Sequence, residues 1–216
     1  VKPAGGRRLG VDILISGRGT NMAALVAASR NPDFPAVIKR VISNRPDAGG
    51  LAIAAGEGIE TLVIDNRDYD TREAHEEALH KAISARLPDL ICLAGYMRIL
   101  SARFVRLHEG RILNIHPSLL PAFTGVETHA RALAAGVKVH GATVHFVTER
   151  LDDGPIVAQV AVPVCDGDTV ETLSARVLAA ENRLYPHALG LVASGRRQAR
   201  AACGDTKSFF WPPLLQ

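Results

Sequence analysis

Cysteine is scarce. The 216 residues hold three, Cys92, Cys165 and Cys203, far apart and without a C-x-x-C pair. An odd, scattered set excludes a disulfide framework and predicts a reducing, cytoplasmic setting. H-E-x-x-H and Cys/His clusters are missing as well, so no metal is expected. His140 and His145, five apart on one strand, would point to opposite faces, which argues against a shared ion. Long apolar runs are also absent. None approaches the roughly 18 residues of a membrane-spanning helix, and the opening VKPAGGRR leads into no signal-peptide core with a cleavage site, so no membrane partner is expected. No dense Lys/Arg block occurs and net charge is only +3, which opposes a nucleic-acid partner but suits anionic small molecules. Repeats, linkers and low-complexity segments are lacking.

What remains is an ordinary globular composition, 47% hydrophobic and 22% charged. A chain of this length can bury about 70% of its unfolded surface in one core. Val11 to Ser16 is a short apolar strand, and Gly17-Arg18-Gly19-Thr20-Asn21 turns it into a helix over Met22 to Arg30. Strands follow at Ala36 to Ser43, Thr61 to Ile64 and Asp89 to Ala94, with helices at Ala48 to Glu57 and Asp70 to Ala85, the latter capped by Asp70 or Thr71. Such alternation predicts a parallel sheet. Beyond a strand at Ile112 to His116 and a short helix at Thr128 to Ala135, the period changes. His140 to Thr148 and Ile156 to Val164 form an antiparallel pair, and Asp168-Thr169 caps a last helix, Val170 to about Val192. The expected fold is α/β: a Rossmann-like open sheet of parallel N-terminal strands extended by an antiparallel C-terminal pair, with helices on both faces. One domain is expected over residues 10–200, with a phosphate-binding half at 10–110, a second half at 111–200, and terminal extensions at 1–9 and 201–216.

Two places carry chemistry. The glycine-bearing turn at Gly17 to Asn21 aims free N–H groups and a helix N-terminus at one spot, an anion site to which Thr20 adds a hydroxyl and Asn21 an amide. It lacks the full G-x-G-x-x-G and the Lys of a P-loop, so one phosphate fits better than a dinucleotide or triphosphate; a plain strand-to-helix turn is the alternative. The second place is RILNIHPSLLPAF, Arg111 to Phe123. Asn114 and His116 lie two apart on one strand and so project from the same face, near the carboxyl ends of the strands, where open sheets bind ligands. An amide donor and a titratable ring side by side suit a carbonyl whose oxygen becomes negative, with Asp152 as a carboxylate able to orient the ring and favour its protonated form. Taken singly, His116 can be a structural histidine, Asn114 a loop tie and Asp152 an Asx-turn residue. G-x-S-x-G is absent and Ser118 follows Pro117 in a loop, so direct attack by a bound substrate is expected rather than a covalent enzyme intermediate. His108 and His129 have no evident partner, and Glu181 reads as a solvated helix charge.

SGRGTN at Ser16 to Asn21, LAGYMRIL at Leu93 to Leu100, LNIHPSLLPAF at Leu113 to Phe123, HGATVHFV at His140 to Val147 and LDDGPIVAQ at Leu151 to Gln159 together resemble the phosphoribosylglycinamide formyltransferases, from about Val11 to Arg196. The resemblance implies formyl transfer from 10-formyltetrahydrofolate to the amine of phosphoribosylglycinamide, in de novo purine biosynthesis. It implies a catalytic trio of Asn114, His116 and Asp152, a substrate site at Gly19, Thr20, Asn21, Met22 and Glu181, and folate contacts at Arg72, Met97, Arg98, Ile99, Leu100, Thr148 and Leu151. For Met97, Ile99 and Leu100 the alternative is core packing. Arg18 departs from the small or amide residues usual in the phosphate loop, and Glu127 brings an acid near an anionic substrate. Two rivals in the same superfamily, formyltetrahydrofolate deformylase and methionyl-tRNA formyltransferase, resemble this domain with an extra regulatory or tRNA-facing domain; neither addition is expected in 216 residues. A catalytically silent nucleotide-binding module would be suggested by loss of any trio member, and all three are present. Monomer and homodimer are both open.

Overall fold

The computed structural model describes residues 7–196, so the expected 201–216 extension lies outside the described residues. In chain order the elements are β1 (Leu9–Ile15), α1 (Thr20–Ser29), β2 (Ala36–Ser43), α2 (Gly49–Gly56), β3 (Glu60–Val63), α3 (Arg72–Ser84), β4 (Leu90–Leu93), α4 (Ala102–Leu107), β5 (Ile112–His116), α5 (Thr128–Ala134), β6 (Val139–Phe146), β7 (Ile156–Pro163) and α6 (Val170–Ala193). One seven-stranded sheet runs in the order β3-β2-β1-β4-β5-β6-β7. The pairs from β3 through β5 are parallel; β5–β6 and β6–β7 are antiparallel. Strand order reverses between β1 and β4, so a crevice opens at their carboxyl ends.

The central strands are buried on both faces, which is why β1 and β4 read as nearly unbroken apolar runs. On one face, Val11, Ile13, Leu113, Ile115 and Val144 pack against α1, α2, α5 and α6. On the other, Leu14, Ile42, Ile91 and Ile112 pack against Leu79 and Ile83 of α3 and Phe104 of α4. Strand β5 therefore divides its side chains: Leu113 and Ile115 go to the first core, Ile112 to the second. Asn114 and His116 share the second face but lie past the helices that cover it.

Three details differ from expectation. Strand β1 begins at Leu9 and buries it, while Arg8 lays its guanidinium on the carbonyls of Phe34 and Ala36 at 2.9 and 2.6 Å, so the ordered body starts ahead of residue 10. Helix α4 was not foreseen; six residues are too few for a helical period to show, although Ser101 caps it by accepting the Phe104 N–H at 3.2 Å. Asp12, inside an otherwise apolar strand, is buried against Arg40 of β2 at 2.6 Å.

Candidate active site

The turn after β1 is tightly built. Gly19 sits at φ 76°, the left-handed region, and a Cβ there would lie 2.7 Å from the Gly50 Cα, so a side chain would push α2 away from α1. The first intrahelical bond of α1 joins the Ala23 N–H to the Gly19 carbonyl at 2.8 Å. The N–H groups of Thr20, Asn21 and Met22 thus precede any helical acceptor, as an anion site requires. Thr20 is exposed beside them, whereas the Met22 side chain is fully buried and offers only its backbone. Asn21 and Glu181 correct the sequence-based expectation. Glu181 is 7% exposed rather than solvated, and accepts a bond from Asn21 Nδ2 at 2.8 Å. Burial raises its carboxyl above the usual range, partly opposed by the Asn21 amide. Asn21 spends its amide nitrogen on Glu181, and its Oδ1 is buried with no partner among the described residues.

At the end of β5 the expected trio comes together. His116 Nε2 lies 3.0 Å from the Phe123 carbonyl, an acceptor only, so Nε2 carries the proton and Nδ1 is left as the exchangeable atom. Asp152 Oδ2 stands 3.5 Å from that Nδ1, both side chains about nine-tenths buried. Asp152 is itself pinned: its φ is 53°, and its Oδ2 accepts the Gly125 N–H at 2.8 Å. Gly154 permits this connection to fold back, since a Cβ there would sit 1.7 Å from the Phe146 carbonyl.

His145 is a fourth member that sequence reasoning missed. Antiparallel register sets it directly across from Asn114, on the same face. Its Nδ1 lies 2.9 Å from the Phe146 carbonyl and so bears the proton, leaving Nε2 to accept from Asn114 Nδ2 at 3.3 Å. Burial lowers the His145 pKa, which keeps the ring neutral and able to accept. One amide N–H of Asn114 is thereby anchored and the other is free to meet a ligand. The sequence carries no signal that pairs His145 with Asn114; the partnership follows only from the β5–β6 register. Ser118 is fully buried and gives its hydroxyl to the Ala122 carbonyl at 2.6 Å, in keeping with the absence of a nucleophilic serine.

Asn114, His116, His145 and Asp152 open into a cavity of about 390 Å³, within the usual range for a small-molecule site. Its walls include Met97, Arg98, Ile99, Leu100, Thr148 and Leu151, all expected, and Val126, not expected. Met97, Ile99 and Leu151 are 77%, 64% and 57% exposed, so they form an apolar rim rather than core. Arg72 is not brought to the cavity: it is exposed at the start of α3, 3.6 Å from Glu73. Among the described residues no group of three or more His, Cys, Asp or Glu is placed to hold a metal ion, and no helix is long and apolar enough to cross a membrane.

The histidines without evident partners do have them. His108 is buried between Arg111, whose guanidinium meets its Nδ1 at 3.0 Å, and His80, 3.1 Å from its Nε2. His129 and Phe123 flank His140 with ring centroids 5.3 and 5.8 Å away. Burial, assisted by Arg111 and His80, lowers His108 to about 4, and burial with His129 lowers His140 to about 4. Unfolded histidines titrate near 6.5, so as pH falls the unfolded chain binds protons first. Stability is therefore complete above about pH 6.5 and is expected to decline toward pH 4, each ring contributing about 1.4 kcal/mol per pH unit at most. Melting temperatures from pH 7.5 to 4.5 test this; a flat profile above pH 5 contradicts it.

The chain belongs to the formyl transferase family, whose model matches residues 10–189. Within that family the similarity narrows. The crystal structure of phosphoribosylglycinamide formyltransferase from Brucella melitensis is 59% identical, covers 88% of this chain and 97% of its own, and superposes with a TM-score of 0.84. Phosphoribosylglycinamide formyltransferase of Escherichia coli K12 is 43% identical over 87% of this chain and 89% of its own length. The trifunctional purine biosynthetic protein adenosine-3 of Gallus gallus is 52% identical across 89% of this chain, which spans only 19% of that relative.

Proposed function

We propose that this chain formylates phosphoribosylglycinamide in purine biosynthesis, with 10-formyltetrahydrofolate as donor. The observation that carries the proposal is the meeting of Asn114, His116 and Asp152 at one cavity, on a sheet whose β1–α1 turn offers free N–H groups. The ribonucleotide phosphate would sit on the N–H groups of Thr20, Asn21 and Met22. Glu181, held beside them by Asn21, would face the glycinamide end, and the folate would lie along the apolar rim of Met97, Ile99 and Leu151.

The substrate amine would use its lone pair to attack the formyl carbon. Charge would collect on the formyl oxygen, to which the free N–H of Asn114 would donate, with the His116 ring alongside. As the new C–N bond forms and the bond to folate N10 breaks, the amine loses a proton and N10 gains one. His116 Nδ1, steadied by Asp152, is the group that relays it. In such a scheme every catalytic group is supplied by the protein and the nucleophile by the substrate.

The decisive assay follows release of tetrahydrofolate by purified protein with and without phosphoribosylglycinamide. Release matched to formylated product, and only with the amine present, supports the proposal; release without it makes the chain a hydrolase. The phosphate site has its own test. Because Asn21 is occupied by Glu181, Thr20→Ala is the cleaner probe, and it should raise the KM of the ribonucleotide by about tenfold, the worth of one charge-assisted hydrogen bond. The folate KM should stay near wild type, and equal rises in both would remove the phosphate-site assignment.

A further inference from the structure

Ser16 follows β1 immediately and is nine-tenths buried. Its backbone N–H donates to the Gly95 carbonyl at 3.1 Å, its hydroxyl donates to Asn44 Oδ1 at 2.6 Å, and the same oxygen accepts the Met97 N–H at 2.8 Å. One residue thus ties the carboxyl ends of β1, β2 and β4. The amides of Asn44 and Asn66 continue the chain to the end of β3, 2.8 Å apart. Ser16, Asn44 and Asn66 have no part in the chemistry described above. A serine hydroxyl has one proton and spare lone pairs, so a single atom both gives and receives here.

The two sides of this junction serve different ligands. On one side Ser16 opens the turn that leads to Thr20; on the other Met97 begins the exposed rim of the cavity. The phosphate turn has further supports, since the Gly50 N–H donates to the Gly17 carbonyl at 3.0 Å and the Ala23 N–H to Gly19 at 2.8 Å. Met97 and Ile99 are 77% and 64% exposed and have little packing to hold them.

We propose that Ser16 is a positioning residue for the folate-facing loop, fixing it through the Met97 N–H and joining it to the phosphate turn. This inference rests on the function proposed above. Because the exposed loop is the less supported side of this junction and the turn the firmer one, a phosphorylated substrate that adds contacts to the turn also steadies the folate-binding arrangement of Met97 to Leu100.

Calorimetric titration tests it, with tetrahydrofolate added to the full chain in the presence and absence of saturating phosphoribosylglycinamide. Ser16→Ala should weaken folate by on the order of tenfold, the effect of one lost buried hydrogen bond, while ribonucleotide affinity measured alone stays close to wild type. The gain in folate affinity conferred by the ribonucleotide should shrink in the same variant, and Ser16→Thr, which keeps the hydroxyl, should restore both. Asn44→Ala releases the hydroxyl without touching Met97 and should show the same pattern in milder form, which keeps the test open if Ser16→Ala does not fold. Folate affinity unchanged, or both ligands weakened equally, overturns the positioning role. Wild-type protein that binds neither ligand removes the formyl-transfer proposal itself, whereas wild-type binding of both with no split in the variants removes this inference alone.

Discussion

Replacing His116 with alanine should lower turnover by on the order of 10²- to 10⁴-fold, the usual contribution of a positioned acid–base group, with the KM of either substrate little altered. The ring lies between two acceptors, the Phe123 carbonyl at 3.0 Å from Nε2 and Asp152 at 3.5 Å from Nδ1. The Phe123 carbonyl holds the Nε2 proton, which leaves Nδ1, facing Asp152, as the atom that can hand on the proton a collapsing intermediate needs. His116→Ala removes the relay but leaves the cavity walls, so binding and chemistry separate. Single-turnover rates with both substrates saturating measure the chemical step directly, and a rate near wild type would remove His116 from the mechanism.

The second large effect is expected at Asn114. Its loss should cost about 10²- to 10³-fold in kcat, as for other oxyanion donors. Asn114→Ala also leaves His145 Nε2 without its donor. A control at the other end of the pair is therefore informative: His145→Gln can still accept from Asn114 and should keep far more activity than Asn114→Ala. A change confined to KM in Asn114→Ala would show that the amide binds substrate without stabilising charge.

Much of this arrangement is legible in the chain, for a definite reason. Strand alternation alone puts Asn114 and His116 on one face, and the glycines before Thr20 mark a tight turn into a helix N-terminus. Asp152 stands out as a carboxylate able to orient the His116 ring, and the resemblance adds Glu181. What stayed hidden depends on register and burial between distant elements. His145 joins Asn114 only through the β5–β6 pairing, and Glu181 becomes a buried carboxyl only because α6 lies against α1, bringing it to Asn21 from 160 residues away. Arg72, which the resemblance places among the folate contacts, stands at the start of α3 outside the lining of the cavity. Helix α4 escaped notice because its six residues hold too little pattern.

The divided loyalty of β5 has a consequence for mutation. Leu113 and Ile115 serve the larger core while Asn114 and His116 serve the cavity, on alternate positions of five residues. Substitutions can alter one set and spare the other. An insertion or deletion that slips the register by one does not, because it exchanges the two sets, turning leucine and isoleucine into the cavity and burying the amide and imidazole among apolar side chains. A point change in this strand is therefore expected to damage either the core or the cavity alone, whereas a one-residue slip of its register damages both together.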